Sequence, residues 1–391
     1  VPADDIRRAA RMYAQASPAA LQWGNPIEHD INAFDATRSL VCLMAVCGNL
    51  EVPGGNIHAH EPRIMKLGQF VRADLIPDKR TEMISAYHGV IPRLMTVPPA
   101  FFRRAVLNSD PYPVRGYYGM GTNPLLAWAD SRATHEAFNS LDFIAIADLF
   151  MTPTASMADI VFPVAHHFEF NDIGHYGLGH GMVFARPKIV DPPDGCWPDM
   201  RIMNELGKRI SSPELWPQDH EQFLQDVLQP SGMSFSDFAD KGFLKGPDRF
   251  QAYAEQGFRT PTGKVELRLS TAEKFGLKPL PEFSGFPEED DPLRPLLLIS
   301  AKNPYYLMSS YRWVRSLRER CPEPEVEIHP RTAKQYGITQ GEEVIVETRW
   351  GQITQKARLT ERVHPMVVSA DLGWWFPEGD PGKQYEWQTS N

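Results

Sequence analysis

Between residues 114 and 163 the chain twice places polar residues just beyond a short apolar run, an arrangement suited to holding a nucleotide. The first instance is V-R-G-Y-Y-G-M-G-T-N-P. Arg115 to Tyr118 reads as a short strand, and Gly119 and Gly121 let the chain turn tightly with its backbone amides exposed. Asn123 falls where a helix N-cap belongs, with Thr122 before it and Pro124 at the first helical position. A helix N-terminus behind a glycine turn attracts anions, because unpaired N–H groups and the macrodipole both point at the ligand. The second instance is D-F-I-A-I-A-D-L-F-M-T-P-T-A-S-M-A-D-I-V-F-P. Phe143 to Ala147 is an apolar strand, and Asp148 lies at its carboxyl end, where open α/β sheets bind ligands. A carboxylate there accepts hydrogen bonds from a ribose or a guanine edge. An ordinary βαβ turn with a capping Asn and an edge Asp would use the same residues, and a short glycine motif alone does not separate the two. The tandem arrangement favours the nucleotide.

Other polar residues carry less. His58 and His60 flank Ala59, a spacing that would put both on one face of a strand as a metal pair, but without a third ligand they read as loop histidines. His166 and His167 follow the apolar run ending at Phe162, at the ligand-facing edge of the sheet, and suit contact with a cofactor or substrate as well as they suit a structural role. Glu169 reads as structural, Asp159 as a cap or pair inside the α/β unit, and Trp374 and Trp375 as packing. His175 and His180, in G-H-Y-G-L-G-H-G, suit a flexible loop near a site.

Composition narrows the function classes. A chain of 391 residues can hold two or more domains with a large core. The net charge of −9 leaves no basic footprint for nucleic acid. No apolar run approaches the roughly 20 residues of a membrane span. The opening V-P-A-D-D-I-R-R-A-A-R-M-Y-A reads as a helix rather than a signal peptide, and the compartment stays open. Cys42, Cys47, Cys196 and Cys321 form no C-x-x-C pair, so neither a structural zinc nor an iron–sulfur cluster is expected within this chain. Cys42 and Cys47 read as small core residues.

The elements that must position these residues follow from periodicity and punctuation. A first helix carries the stripe Ile6, Ala10 and Tyr13; Ala19 to Gln22 reads as a short buried strand; Thr37 to Cys47 is a second helix stopped by Gly48. L-E-V-P-G-G-N then demands a sharp bend. Helices are expected around 80–95 and 99–108, an irregular stretch from His166 to Gly195, and an amphipathic helix from Met200 to Ile210. F-P-E-E-D-D-P-L-R-P (286–295) reads as an acidic, proline-rich linker and a domain boundary. Beyond it the period becomes that of strands: Leu296 to Ser300, V-E-I-H-P, and a hairpin of Glu343 to Thr348 with Gln352 to Thr360, after a helical turn from Arg331 to Tyr336 closed by Gly337. That pattern describes a small β-barrel.

Taken together, A-V-C-G-N-L-E-V-P-G-G-N (45–56), M-G-T-N-P (120–124), D-L-F-M-T-P-T-A-S-M-A-D-I-V-F-P (148–163), I-H-P-R-T-A-K-Q-Y-G-I-T-Q-G-E-E-V-I-V-E-T (328–348) and G-W-W-F-P (373–377) resemble the molybdopterin oxidoreductases of the dimethyl sulfoxide reductase family. The likeness runs collinearly along nearly the whole chain. It implies an α/β fold: Rossmann-like α/β sheet domains plus a C-terminal double-psi-type β-barrel. The implied divisions are 1–62, the end of an α/β cofactor-binding domain; 63–168, a second, Rossmann-like dinucleotide-binding domain; 169–285, a mixed connecting region; and 286–391, a truncated barrel that binds molybdopterin dinucleotide. The implied cofactor is bis-molybdopterin guanine dinucleotide with molybdenum. Gly121, Thr122, Asn123 and Asp148 would hold the guanosine of one tail, and Thr154 would add a hydroxyl. Gln22, Gly55 and Asn56 match positions that approach the cofactor; His166 is counted with the cofactor-binding residues from its place at the sheet edge, not from the resemblance. In the barrel, Ser300, Lys302, Ser309 and Ser310 match a segment that contacts pterin and phosphates, although Ala301-Lys302 and Met308-Ser309 depart from the family's Gly-Arg and His.

The family opens with a cysteine-rich segment and then a residue that ligates the metal. The resemblance places both before Val1, so a 4Fe-4S cluster is expected only in a segment upstream. It implies an iron–sulfur electron-transfer subunit as a partner. A non-catalytic relative, kept as a structural subunit of an electron-transfer complex, is the alternative; the upstream sequence separates the two. An unrelated NAD or FAD enzyme is disfavoured by the lack of G-x-G-x-x-G. The chain alone is expected to be catalytically inactive. Turnover by it, with molybdenum at about one atom per chain by elemental analysis, would overturn that expectation.

Overall fold

In the computed structural model, residues 1–29, 31–72, 82–89, 96–285 and 291–379 are described. Their strands are, in chain order, β1 (Gly116–Met120), β2 (Phe143–Asp148), β3 (Ile160–Pro163), β4 (Asp172–Gly174), β5 (Met182–Arg186), β6 (Phe243–Lys245), β7 (Leu297–Ala301), β8 (Glu325–Ile328), β9 (Glu343–Glu347), β10 (Gln352–Leu359) and β11 (Val367–Asp371). They make three sheets, ordered β1-β2-β3, β4-β5-β6 and β7-β11-β8-β10-β9. The chain divides into two units that each run through several segments. The first is Val1–Pro77, Asn171–Lys188 and Pro217–Glu289; the second is Asp78–Phe170, Ile189–Trp216 and Asp290–Asn391.

In the second unit β1, β2 and β3 are parallel, with Met120 opposite Ala147 and Asp148 opposite Pro163. The middle strand explains why. Ile144, Ala145, Ile146 and Ala147 are all buried, as a strand covered on both faces must be. Parallel neighbours need a crossover, supplied here by the helix Ser131–Asn139, whose N-terminus is capped by Asp130 accepting from the Ala133 amide at 3.1 Å. Its Phe138 packs with Ile144, Ile146, Phe102, Tyr117 and Trp128. Asp159 pairs within the α/β unit as expected: its Oδ2 accepts from the Ile144 amide at 2.7 Å, and its own amide donates to the Ile144 carbonyl at 2.9 Å. That exchange sets the register of β3 on β2.

The C-terminal sheet is mixed: β7 and β11 are parallel, β11 and β8 antiparallel, β8 and β10 parallel, β10 and β9 antiparallel. Its core is Val326, Ile328, Ile353, Ala357, Val368 and Ala370. Gln355 points into the same core, and its polar amide is matched by the Asp371 backbone, with Nε2 donating to the carbonyl at 3.0 Å and Oε1 accepting from the amide at 3.2 Å. The hairpin forms where the alternation places it, closed by the Thr348 amide donating to Gly351 at 2.8 Å. Trp374 and Trp375 are completely buried, as packing residues should be.

The first unit departs from expectation in three places. Ala19 to Gln22 belongs to no strand, because its partner is a side chain: the Leu21 amide donates to Asn56 Oδ1 and Asn56 Nδ2 donates to the Leu21 carbonyl, both at 2.8 Å. The stretch from His166 to Gly195 is not wholly irregular, for it holds β4 and β5. β5 pairs with β6, whose residues lie far along the chain, so short-range periodicity could not reveal it. Cys42 and Cys47 are only half-buried; of the four cysteines Cys321 is the buried one. Of the helix expected over 80–95, residues 82–89 are described and hold a single turn, Ile84–Tyr87, while the rest lies outside the described residues, as do residues 286–290 of the acidic linker.

β6 ends against residues 59–61 so closely that a Cβ on Gly246 would stand 1.7 Å from the His60 carbonyl oxygen. Backbone cannot yield as a flexible side chain does. Gly246→Ala is therefore expected to destabilise the protein by about 3 kcal/mol in urea unfolding; a loss within about 0.5 kcal/mol would show that this approach is not needed.

Candidate functional site

Three loops leave the carboxyl ends of β1, β2 and β3, and the polar residues picked out of the sequence concentrate there. After β1, Gly121 takes φ +52° and its amide donates to the Ala147 carbonyl at 3.0 Å, folding the turn back over β2. Asn123 follows, buried to 8% exposure. It stands at the N-cap position but makes no capping hydrogen bond, which corrects the expectation. Instead Asn123 Oδ1 accepts from the Thr154 hydroxyl at 2.7 Å and from the Thr154 amide at 3.3 Å. The Thr154 hydroxyl in turn accepts from the Leu125 amide at 3.1 Å. A hydroxyl from the neighbouring loop thus does the capping. The helix is the single turn Pro124–Ala127, too short for its dipole to act as a strong anion site. Thr154 is fully buried with donor and acceptor both engaged, so it braces Asn123 from behind. Thr122 likewise hydrogen-bonds the Tyr117 side chain.

What this leaves unmatched is informative. Asn123 Nδ2 is buried without a hydrogen-bond partner, and so are the Tyr118 hydroxyl and Asp199 Oδ1. Buried polar groups almost always find partners, and one left alone points to something that binds it. Asp199 lies far from Asp148 in sequence, opening the helix Asp199–Ile210. Residues 163–165 and Trp197 bring it back: the Trp197 amide donates to Pro163 at 3.3 Å and the Ala165 amide to Trp197 at 3.0 Å, an extra pairing at the end of β3. Burial pushes the Asp148 carboxyl up, and repulsion from Asp199 adds to it, while the Phe150 and Leu149 amides and the Thr152 hydroxyl pull it down. Burial pushes Asp199 up as well. The Tyr118 phenol is raised by burial and then by Asp199. Tyr118 and Asp199 were not read from the sequence. C-W-P-D offered only a proline before a helix-opening acid, a pattern that any N-terminus shares.

After β3, His166 is held by its neighbours. Its amide donates to Glu169 Oε2 at 2.7 Å, and the Phe168 amide donates to His166 Nδ1 at 3.4 Å. The neutral ring therefore carries its proton on Nε2. Glu169 has the structural role expected of it.

The C-terminal sheet contributes to this same unit. Ser300 is exposed opposite Ala370 near the end of β7, and the loop beyond carries Lys302, Ser309 and Ser310. Asn303 ties the loop down by donating to Asp371 Oδ1 at 3.3 Å, and the Tyr306 hydroxyl donates to the Cys321 carbonyl at 2.7 Å. Phe150, two residues past Asp148, stacks on Trp313 with ring centroids 4.1 Å apart. A Cβ on Gly373 would lie 3.5 Å from the Leu126 carbonyl oxygen, just beyond Asn123. The loops of the parallel sheet and the loop of the C-terminal sheet therefore meet. At their junction Arg312, missed in the sequence, is 1% exposed, and burial pushes its guanidinium down to about 10.

Gln22, Gly55 and Asn56 belong to the first unit. Asn56 holds the segment that carries the exposed Gln22, and Gly55 has no room for a side chain, since a Cβ would stand 2.4 Å from the Asn49 carbonyl oxygen. His58 and His60 lie with rings 5.9 Å apart, His175 and His180 5.4 Å apart. Among the described residues no three His, Cys, Asp or Glu side chains gather as a metal site would require.

Comparison with known proteins matches residues 10–209 to the molybdopterin oxidoreductase family and residues 296–386 to the molydopterin dinucleotide binding domain. The acetylene hydratase of Syntrophotalea acetylenica is 27% identical, over 98% of this chain and 57% of that protein. Formate dehydrogenase H of Escherichia coli K12 is 26% identical, over 96% of this chain and 54% of the relative. The solved structure of acetylene hydratase from Pelobacter acetylenicus superposes with a TM-score of 0.89 at 24% identity, covering 97% of this chain and 57% of that one, and so shares its fold. The chain spans about half the length of the curated relatives it matches.

The brace behind Asn123 sets a stability test. Thr154→Val preserves shape but leaves Asn123 Oδ1 and the Leu125 amide without their hydroxyl, and is expected to cost about 2–3 kcal/mol, whereas Thr154→Ser should cost about 1 kcal/mol or less. Equal losses in chemical denaturation would refute the hydroxyl's bridging role.

Proposed function

We propose a function on one premise: the chain belongs to the molybdopterin oxidoreductase family. It forms part of a molybdopterin-dependent oxidoreductase, and its second unit grips a guanine dinucleotide tail of the molybdenum cofactor. The observation that carries this reading is the set of buried, unpartnered polar atoms at the carboxyl edge of β1–β3: Asn123 Nδ2, the Tyr118 hydroxyl and Asp199 Oδ1. A guanine edge offers N–H donors, which suit the carboxylates of Asp148 and Asp199. Asn123 Nδ2 would donate to a ribose or phosphate oxygen. Lys302 would supply a point charge to the phosphates, with Ser300, Ser309 and Ser310 donating hydroxyls beside it. The loop at Gly55 and Asn56, with Gln22 beside it, would contact the pterin, and His166 Nε2–H would donate to the cofactor at the sheet edge. On this reading the C-terminal sheet is the double-psi-type dinucleotide-binding barrel of the family, and an iron–sulfur electron-transfer subunit is the partner.

Once bound, the cofactor supplies two-electron redox or oxygen-atom chemistry. The chain's own residues bind and orient it. The chemical character of the site suits that role, with Thr154 holding Asn123 from behind. Heat release of the bound cofactor tests the reading directly. A pterin by absorbance and fluorescence is expected; a flavin or nicotinamide would refute the assignment.

The two raised carboxyls add a second test. Because their native pKa values lie above those of the unfolded chain, the native state binds more protons in that window, and stability rises as pH falls through it. Above the window the ionised pair is a standing cost. Asp199→Asn is therefore expected to stabilise the cofactor-free protein at neutral pH, modestly because solvent screens the half-buried pair, while weakening retention of the dinucleotide. For the unaltered protein, retention should weaken as pH drops toward the carboxylate range, since protonated Asp148 and Asp199 accept N–H donors poorly. Retention that survives Asp199→Asn at every pH would remove Asp199 from the site.

A further inference from the structure

The turn that carries Ser309 and Ser310 is strained at both ends. Met308 has φ +53° and Tyr311 φ +69°, a left-handed region that residues with side chains enter only at a cost. The turn itself closes through the Ser310 amide, which donates to the Leu307 carbonyl at 2.9 Å. Strain of this kind persists where the surroundings over-determine it, and two side chains do so here. Trp375 Nε1 donates to the Ser309 carbonyl at 2.8 Å. Arg312 Nη2 donates to the Met308 carbonyl at 3.0 Å and to the Gly373 carbonyl at 3.4 Å. Gly373 has φ +66° and lies so near the turn that a Cβ would stand 3.1 Å from the Ser309 nitrogen.

Arg312 is an expensive way to fill this space. Its guanidinium sits 3.9 Å from the Tyr306 ring centroid and 4.0 Å from that of Trp374, a cation clamped between two aromatic faces. Its Nε and Nη1 are buried with no hydrogen-bond partner. A buried cation without a hydrogen-bonded carboxylate is usually less stable than an apolar side chain of the same volume. The work of Nη2 on the two carbonyls is what distinguishes Arg312 from such a replacement.

We propose that Arg312 is a positioning residue: clamped between Tyr306 and Trp374, it locks the Leu307–Tyr311 turn in its left-handed form and so presents Ser309 and Ser310 to the cofactor. The proposal rests on the cofactor reading of Ser309 and Ser310 above.

The test uses the purified, cofactor-loaded protein and three readouts: melting temperature, amide hydrogen exchange across residues 308–311, and the rate of pterin release on mild heating. Arg312→Met is expected to fold, to exchange faster at the turn and to release pterin about tenfold faster, as when other groups that orient a ligand-binding residue are removed. Arg312→Lys keeps the cation between the rings but not the forked donor, and should release pterin faster too. Adding Met308→Gly to either variant should restore much of the retention, because glycine takes φ +53° without a side-chain penalty. A role in core packing alone would not be rescued this way. Unchanged exchange and release in Arg312→Lys, or loss that Met308→Gly leaves untouched, would overturn the proposal. If the unaltered protein releases no pterin, the functional reading fails instead, and the exchange rates of the turn still decide whether Arg312 holds it.

Discussion

The bond between Thr154 and Asn123 is the interaction on which the second unit's site depends. It joins the loop after β2 to the loop after β1, and with the Leu125 amide it makes one hydroxyl serve both. While Oδ1 of Asn123 is held by Thr154, Nδ2 stays buried without a hydrogen-bond partner. Satisfying one end of this amide leaves the other end without a partner in the protein, the feature on which the proposed cofactor site rests. The burial that makes Nδ2 useful also makes it costly when unmatched.

The same economy recurs at the carboxylates and at Arg312. Asp148 and Asp199 share a half-buried edge where neither is ionised easily, and their repulsion is tolerated within the folded chain. Arg312 is buried as a cation against the cost of desolvation, and the turn beside it is strained at Met308 and Tyr311. Such departures from the most stable arrangement gather at sites where stability is exchanged for binding. Elsewhere in the C-terminal sheet the core obeys ordinary rules, down to the paired amide of Gln355.

Much of the frame was legible in the sequence. The apolar run at Phe143, the glycine turn at Gly121 and the hairpin around R-W-G-Q are local signals, and each corresponds to an element close to where periodicity put it. Misreadings arose where a partner was distant or of an unexpected kind. Ala19 to Gln22 has the pattern of a strand but is paired to a side-chain amide. β5 needs β6, which periodicity within its own neighbourhood cannot disclose. Asn123 sits at the N-cap position, yet Thr154 supplies the cap, since nothing local tells which hydroxyl will reach the Leu125 amide.

By itself the sequence determined the type of fold, the positions of Gly121, Asn123 and Asp148 at a sheet edge, and, through collinear motifs, the family. These depend on spacing along the chain, which backbone geometry converts directly into position. Only the tertiary structure decided which polar atoms are left without partners. Tyr118 and Asp199 join Asp148 because Trp197 pairs beside β3, and Arg312 reaches the Met308 and Gly373 carbonyls because Gly373 folds back against the turn. Hydrogen bonds are satisfied through space, and no spacing along a chain records which donor will meet which acceptor.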